Sequence, residues 1–370
     1  MSVLARLRSG NEKYPALTGV RAVGAMVVFF DHFPLWTDLH ITINVLAFFF
    51  ALSGFLIVRI YYEQVELGRA WLGKYFVNRF GRIYPVYFLL LTVAVWLHQD
   101  FRPWVLLKNY TLTHALFHGT PLLIQPSWSL TAEECFYFLA PVFMLLARRY
   151  RFLGPFALAS LLLLLALVIS KLGFSFLGTP MFVLTTTFFG HFAEFFAGVY
   201  LALAVMRLEK REPLAAARGW RTLAGLLGVS LLSVAMILVY RQTPLKVGAI
   251  VLINNFLMPV PIAMLYWGLL RENTLLSRLL SNPVAGLLGR SSYSFYLLHT
   301  LVIDYVSVPL LLPLIGNRPL CVVVTFVATW VISVALFACF EEPANVFVRR
   351  RFSHRAGEGR SPPVPARPAL

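Results

Sequence analysis

Apolar residues fill this chain in runs of about 17 to 25, the length a helix needs to cross the hydrocarbon core of a bilayer. Ten such runs stand out, at 16–36, 41–60, 83–98, 128–147, 154–171, 181–206, 222–240, 247–270, 291–312 and 319–340. They are continuous rather than alternating and too long for strands, so they predict helices. The expected fold is all-α, a polytopic bundle of about ten membrane-spanning helices. The third run is short, and the segment 99–127 after it is polar and rich in His, Pro and Thr. The last run is followed by a segment ending "RFSHRAGEGRSPPVPARPAL". Its Pro, Gly and Arg content predicts a membrane domain over 1–343 and a disordered cytoplasmic tail over 344–370. Neither an internal repeat nor an inverted pair of broken helices is visible.

Charge orients the bundle. Loops on the N-terminal side hold 25 of the 32 Lys and Arg residues, loops on the other side hold six, and Arg21 is left inside the first run. That asymmetry places both termini in the cytoplasm. Basic residues precede the first run without a small-residue cleavage site after it, so it is expected to be a retained helix and not a signal peptide.

Composition narrows the class. The chain is 59% hydrophobic and 13% charged, whereas a soluble domain carries about 25% charged residues. A net charge of +16 could suggest nucleic acid. The cations instead cluster in short loops, with no basic domain or RNA-reading motif, so no nucleic-acid partner is expected. Cys135, Cys321 and Cys339 show no paired spacing. They read as small apolar packing residues, with no disulfide framework or metal site.

Four stretches carry candidate chemistry. In "VRAVGAMVVFFDHF" (20–33), Arg21 and His32 are eleven residues apart. They therefore share one helix face about 16 Å apart along its axis, Arg21 toward the inside and His32 toward the outside. Ionisable groups within a membrane mark pathways or sites, although Arg21 could snorkel and His32 could cap the helix. Asp31 could orient the imidazole only through a bend, and a solvated helix end is an equal reading for it. In "PSWSLTAEECFYFLAP" (126–141), Glu133 enters from the same side as His32. The two could form a base and its orienter, or Glu133 and Glu134 could be merely interfacial. In "KYFVNRFGRIYPVYF" (74–88), Lys74, Arg79 and Arg82 form a basic cluster among aromatics. It either obeys the positive-inside rule or grips a phosphate-bearing ligand. In "GRSSYSFYLLHT" (289–300), His299 is a lone helix histidine, a residue that more often packs than reacts.

Taken together these stretches resemble the membrane acyltransferase-3 family of bacterial O-acyltransferases. The resemblance rests on Arg21 and His32, "FFFALSGFLI" (48–57), and the R-x-x-R-I-x-P-x-Y pattern of Arg79, Arg82, Ile83, Pro85 and Tyr87. It continues through "WSLTAEECFYF", "EFFAGVYLAL" (194–203), "SYSFYLLH" (292–299) and "FEEP" (340–343), in family order over about 16–343.

The resemblance implies transfer of an acyl group, usually acetyl, from cytoplasmic acyl-CoA to a hydroxyl on an extracytoplasmic glycan or a small molecule. It makes His32 the general base, Arg21 its partner at the donor or the developing charge, and Glu133 an assistant to His32. Arg79 and Arg82, with Lys74 and Tyr87, would face the CoA, and Trp128, His299 and Glu194 would face the acceptor. A thioester donor needs no metal. Exopolysaccharide, O-antigen, lipid-linked oligosaccharide and macrolide-like compounds all fit as acceptors. Cys135 stands where many relatives have a polar residue such as Gln. The chain ends at Leu370, so no periplasmic hydrolase-like domain is expected. The implied setting is the bacterial cytoplasmic (inner) membrane, among lipids, as a homo-oligomer or beside polysaccharide-assembly proteins. A transporter or flippase of lipid-linked sugars using Arg21, His32, Glu133 and Glu194 is the alternative of another class, and a sensor or scaffold is a third.

Overall fold

A computed structural model describes residues 13–33, 42–174, 177–209, 219–242 and 246–357. All regular structure among them is helical: α1 (Pro15–His32), α2 (Thr42–Tyr61), α3 (Arg69–His98), α4 (Pro103–Tyr110), α5 (Trp128–Tyr150), α6 (Leu153–Lys171), α7 (Pro180–Thr186), α8 (Phe188–Glu209), α9 (Trp220–Gln242), α10 (Lys246–Val251), α11 (Pro259–Arg271), α12 (Leu275–Leu280), α13 (Pro283–Val302), α14 (Leu312–Ile315), α15 (Arg318–Leu336) and α16 (Glu342–Gly357). Among the described residues, nine helical stretches are long and apolar enough to cross a membrane. The first expected span, α1, falls outside that set because Arg21, Asp31 and His32 interrupt its apolar run. It nonetheless packs inside the bundle, against α13 and α2.

Helices cross closely where glycine removes the side chain, the way membrane helices gain packing without a hydrophobic driving force between them. At the α2–α8 crossing, a Cβ on Gly198 would sit 1.7 Å from the Ala51 carbonyl oxygen, and one on Gly54 2.0 Å from that of Phe195. At the α1–α13 crossing, a Cβ on Gly289 would sit 2.0 Å from the Thr18 carbonyl oxygen. These two crossings hold the helices that carry Arg21, Ser53 and His299.

Two expectations change. The third helix begins at Arg69, not 83, and runs 30 residues. At 1.5 Å per residue it is about 45 Å long, well beyond a core of about 30 Å. Lys74, Asn78, Arg79 and Arg82 hide this half from a hydropathy reading, yet Tyr75, Asn78 and Gly81 are buried in it. It is covered by α16, whose Val348 lies against Gly81. Residues 344–357 are therefore helical, not the start of a disordered tail, and 358–370 lie outside the described residues.

Three π-helical stretches interrupt the bundle: Leu252–Leu257 before α11, Ile303–Leu311 after α13, and Phe337–Glu341 between α15 and α16. A π turn widens the helix by one residue per turn and commonly marks a functional site. Each stretch here presents polar groups to the interior, among them Asn254 and Asn255, Ser307, and Glu341.

Candidate active site

Helices α1, α2, α3, α5 and α13 enclose a cavity of about 880 Å³, partly open to solvent. Arg21, Ser53, Arg79, Arg82, Glu133, Tyr137, Tyr293 and Tyr296 are among its lining residues. Helical spacing explains the grouping: Arg79 and Arg82 are i and i+3 on α3, and Glu133 and Tyr137 are i and i+4 on α5.

The polar groups of the cavity are mostly tied to one another. Arg82 Nη1 donates to Glu341 Oε1 at 2.6 Å, and Ser294 Oγ donates to Glu341 Oε2 at 2.6 Å. The Arg82 guanidinium also lies 5.8 Å from the centre of the Tyr293 ring. Arg79 Nη2 donates to the Tyr61 hydroxyl at 3.3 Å, with Tyr61 and Tyr137 rings 5.5 and 5.6 Å away. Its Nε is buried without a partner. The Glu133 carboxylate accepts short hydrogen bonds from Ser53 Oγ and the Tyr137 hydroxyl. Arg21 is the exception. Among the described residues its guanidinium has no hydrogen bond or ion pair, while Arg82, Glu341 and Glu133 all act on it electrostatically. Three guanidiniums against two carboxylates leave the cavity cationic, which favours an anionic ligand. Arg21 also lines a second recess with Lys13, Tyr14 and Arg59, which shares Leu52 and Leu56 with the cavity. The recess thus lies next to the cavity, on the N-terminal side of the bundle.

A histidine pair stands at the other end. His32 Nδ1 meets the Val28 carbonyl oxygen at 2.8 Å, and His299 Nδ1 meets that of Tyr296 at 2.7 Å. A carbonyl only accepts, so each neutral ring carries its proton on Nδ1 and offers a lone pair at Nε2. The rings are 5.1 Å apart, and His299 Nε2 is buried without a partner. Tyr296 separates this pair from the cavity: its ring lies 5.9 Å from His299, and its hydroxyl bonds Ser129 at 2.8 Å and the Pro126 carbonyl at 3.0 Å. Beyond the pair, the Tyr305 hydroxyl meets His98 Nδ1 at 3.0 Å, and Asp304 faces both His32 and His98.

The structure brings Arg21, Arg79, Arg82 and Glu133 together and sets His32 and His299 above them. Glu133 is not at His32. Ser129 and Tyr296 meet at one level, from which Glu133 is four residues deeper along α5 and His299 three residues shallower along α13. The two levels differ by about 10 Å, and Glu133 lines the arginine cavity. Tyr87 is fully buried, with its hydroxyl donated to the Asn109 carbonyl at 2.8 Å, and does not line the cavity. Lys74 is exposed and does not line the cavity. Glu194 is fully buried, and its carboxylate takes His191 Nδ1 at 3.0 Å and Asn254 Nδ2 at 2.9 Å. Asn255 extends this network to the Leu184 and Gly190 carbonyls on either side of the break between α7 and α8. Trp128 packs against the His191 ring, 5.7 Å away, outside the cavity lining.

Several site residues carried too weak a sequence signal to be singled out. Glu341 lies within "FEEP" and Ser53 within "FFFALSGFLI", but nothing in those strings tells which side chain turns inward. Tyr137 was signalled only by its i+4 spacing from Glu133. Among the described residues no group of three His, Cys, Asp or Glu side chains is placed to hold a metal ion.

An apolar helical bundle that encloses a cationic cavity, with a histidine pair beyond Tyr296, is that of a polytopic membrane protein. The chain belongs to the acyltransferase-3 family, whose model, described as an acyltransferase domain, matches residues 14–338. It is also similar to a protein described as peptidoglycan O-acetyltransferase OatA, from Listeria monocytogenes serovar 1/2a (strain ATCC BAA-679 / EGD-e). The two are 29% identical over 157 residues, covering 36% of this chain and 25% of that relative, so the match spans about a quarter of the relative's length. No solved structure matches the chain.

Proposed function

We propose that the protein moves an acyl group, acetyl in the simplest case, from acyl-CoA to a hydroxyl of an extracytoplasmic glycan. The observation that carries this reading is the cationic cavity around Arg21, whose guanidinium has no hydrogen bond or ion pair among the described residues. Arg21 lies on the same helix face as His32, with Tyr296 between the cavity and the His32–His299 pair. The loop charges put that side in the cytoplasm, where acyl-CoA is found. The O-acetyltransferase relative supports a glycan acceptor, with exopolysaccharide, O-antigen and lipid-linked oligosaccharide as the candidates, and the bacterial cytoplasmic membrane as the setting.

Arg21, Arg79 and Arg82 attract the anionic donor, and the thioester arm extends through the cavity toward Tyr296. Arg21 and His32 are about 16 Å apart along α1, roughly half the hydrocarbon thickness, a distance an extended pantetheine arm can span. The acceptor hydroxyl approaches from the opposite side and gives its proton to His32 Nε2 while its oxygen attacks the thioester carbonyl carbon. The tetrahedral oxyanion collapses, the C–S bond breaks, and the thiolate takes the proton from His32. The Val28 carbonyl holds the ring in the tautomer this needs, and general-base assistance of this kind contributes about 10²- to 10⁴-fold.

The reading is tested with purified protein, labelled acetyl-CoA and a glycan acceptor. His32→Ala should lose transfer by about 10²-fold or more while still binding acyl-CoA. Full activity in that variant would remove His32 as the base. Arg79→Ala combined with Arg82→Ala should weaken acyl-CoA binding, and unchanged affinity would return these residues to an orienting role only.

A further inference from the structure

Away from the cavity, a groove of about 1320 Å³ runs along the outside of the bundle between α6, α8, the start of α9 and α11. Its lining mixes alanines, Ala193, Ala197 and Ala204 on α8 and Ala263 on α11, with larger apolar residues such as Phe196 and Met264. Among the described residues Arg221 is the one charged residue that lines it. The elements around it are long and apolar enough to span a membrane, so the groove faces hydrocarbon.

One end of the groove is different. Arg221 stands there between two indoles, 4.9 Å from the Trp220 ring and 5.7 Å from the Trp267 ring. The nearby carboxylate, Glu272, is already engaged: it accepts from the backbone Arg221 N at 3.1 Å and Thr222 N at 2.8 Å and from the side-chain Thr222 Oγ1 at 2.5 Å. Glu272 thus caps the start of α9, and among the described residues no acceptor takes the guanidinium of Arg221. Trp and Arg together at a helix end mark the level of the lipid headgroups. From Ala204 to Ala193 the groove follows eleven residues of α8, about 16 Å, close to half of the roughly 30 Å core.

We propose that this groove is a binding site for one anionic phospholipid of the leaflet on the N-terminal side, its phosphate on Arg221 between Trp220 and Trp267 and one acyl chain along α8. A planar guanidinium presents paired N–H donors to a phosphate, and the groove's depth suits a chain of one leaflet. The site shares no lining residue with the arginine cavity and does not depend on the reaction proposed above.

Native mass spectrometry of the full chain from detergent tests this directly. The protein is incubated in separate arms with phosphatidylglycerol, with phosphatidylcholine, and with glycerol phosphate as the headgroup alone. Wild type should retain one phosphatidylglycerol, hold phosphatidylcholine more weakly, and bind no glycerol phosphate. Arg221→Gln should reduce phosphatidylglycerol retention about fivefold, the factor for one interfacial cation. Val260→Trp, at an exposed rim position, should reduce it by blocking the chain while leaving Arg221 in place. Two folded variants that retain phosphatidylglycerol like wild type would overturn the proposal. A dimer that excludes lipid, or retention of glycerol phosphate alone, would overturn it as well.

Discussion

Glu341 is the residue whose replacement is expected to be felt most sharply in the cavity. It is 1% exposed, and both of its carboxylate oxygens are engaged, one by Arg82 and one by Ser294. A hydrogen bond to a charged group contributes about 1.5–3 kcal/mol, and breaking a buried ion pair by removing one partner costs about 3–5 kcal/mol. The Arg82 side chain is 27% exposed to the cavity, so water there can partly solvate the released guanidinium. That lowers the expectation for Glu341→Ala to about 2–3 kcal/mol. Glu341→Gln keeps a hydrogen-bonding group but loses the charge and should fall between. Ser294→Ala removes a single hydroxyl donor and leaves the ion pair, so it should cost about 1.5 kcal/mol, the low end of that range. The assay is unfolding in mixed micelles for the three variants, with a double-mutant cycle against Arg82→Ala to isolate the pair. The same variants should lose acyl transfer in the same order, because Arg82 is no longer held against the Tyr293 face. A Ser294→Ala loss equal to that of Glu341→Ala, or no coupling between residues 82 and 341, would refute the reasoning.

Two further expectations rest on other parts of the fold. Gly198→Ala should prevent recovery of monodisperse protein, since its Cβ would meet backbone at 1.7 Å, whereas Gly248→Ala, with nothing within 4 Å, should behave as wild type on size exclusion. His114, in the segment between α4 and α5, is pushed down to about 4 by burial. The unfolded chain then binds more protons than the folded one between pH of about 6.5 and 4, so stability falls as the pH drops through that window, by up to about 3 kcal/mol. His114→Gln should flatten this dependence in unfolding measured from pH 7 to 4, and an unchanged slope would assign the loss to other groups.

Hydropathy alone revealed most of the bundle because apolar runs of spanning length have few alternatives in a membrane. It failed at α3, where polar residues line a cavity and so read as loop. Arg21 and His32 were legible as costly intruders on one face, and Arg79 with Arg82 as a cluster. What could not be read was which groups share a level. That depends on how far each helix is shifted along its neighbours, set by contacts such as Ser129–Tyr296 and the glycine crossings. Glu133 lines the arginine cavity for this reason. The surroundings of Glu194 were not legible because one of its partners, Asn254, lies sixty residues away in sequence on a π-helical stretch.

Those π stretches make the site depend on how the chain turns as well as on its chemistry. A π turn holds one more residue than an α turn, so Phe337–Glu341 carries an extra residue without swinging α16 away from α15. An α-helix turns about 100° per residue, so if the stretch relaxed to ordinary helix with all its residues kept, α16 would rotate by about that angle relative to α15. Either Glu341 would leave Arg82 or Val348 would leave Gly81, since a single rigid helix could not keep both. Loss of the π turn alone would therefore take the site apart, although every side chain of it would still be present.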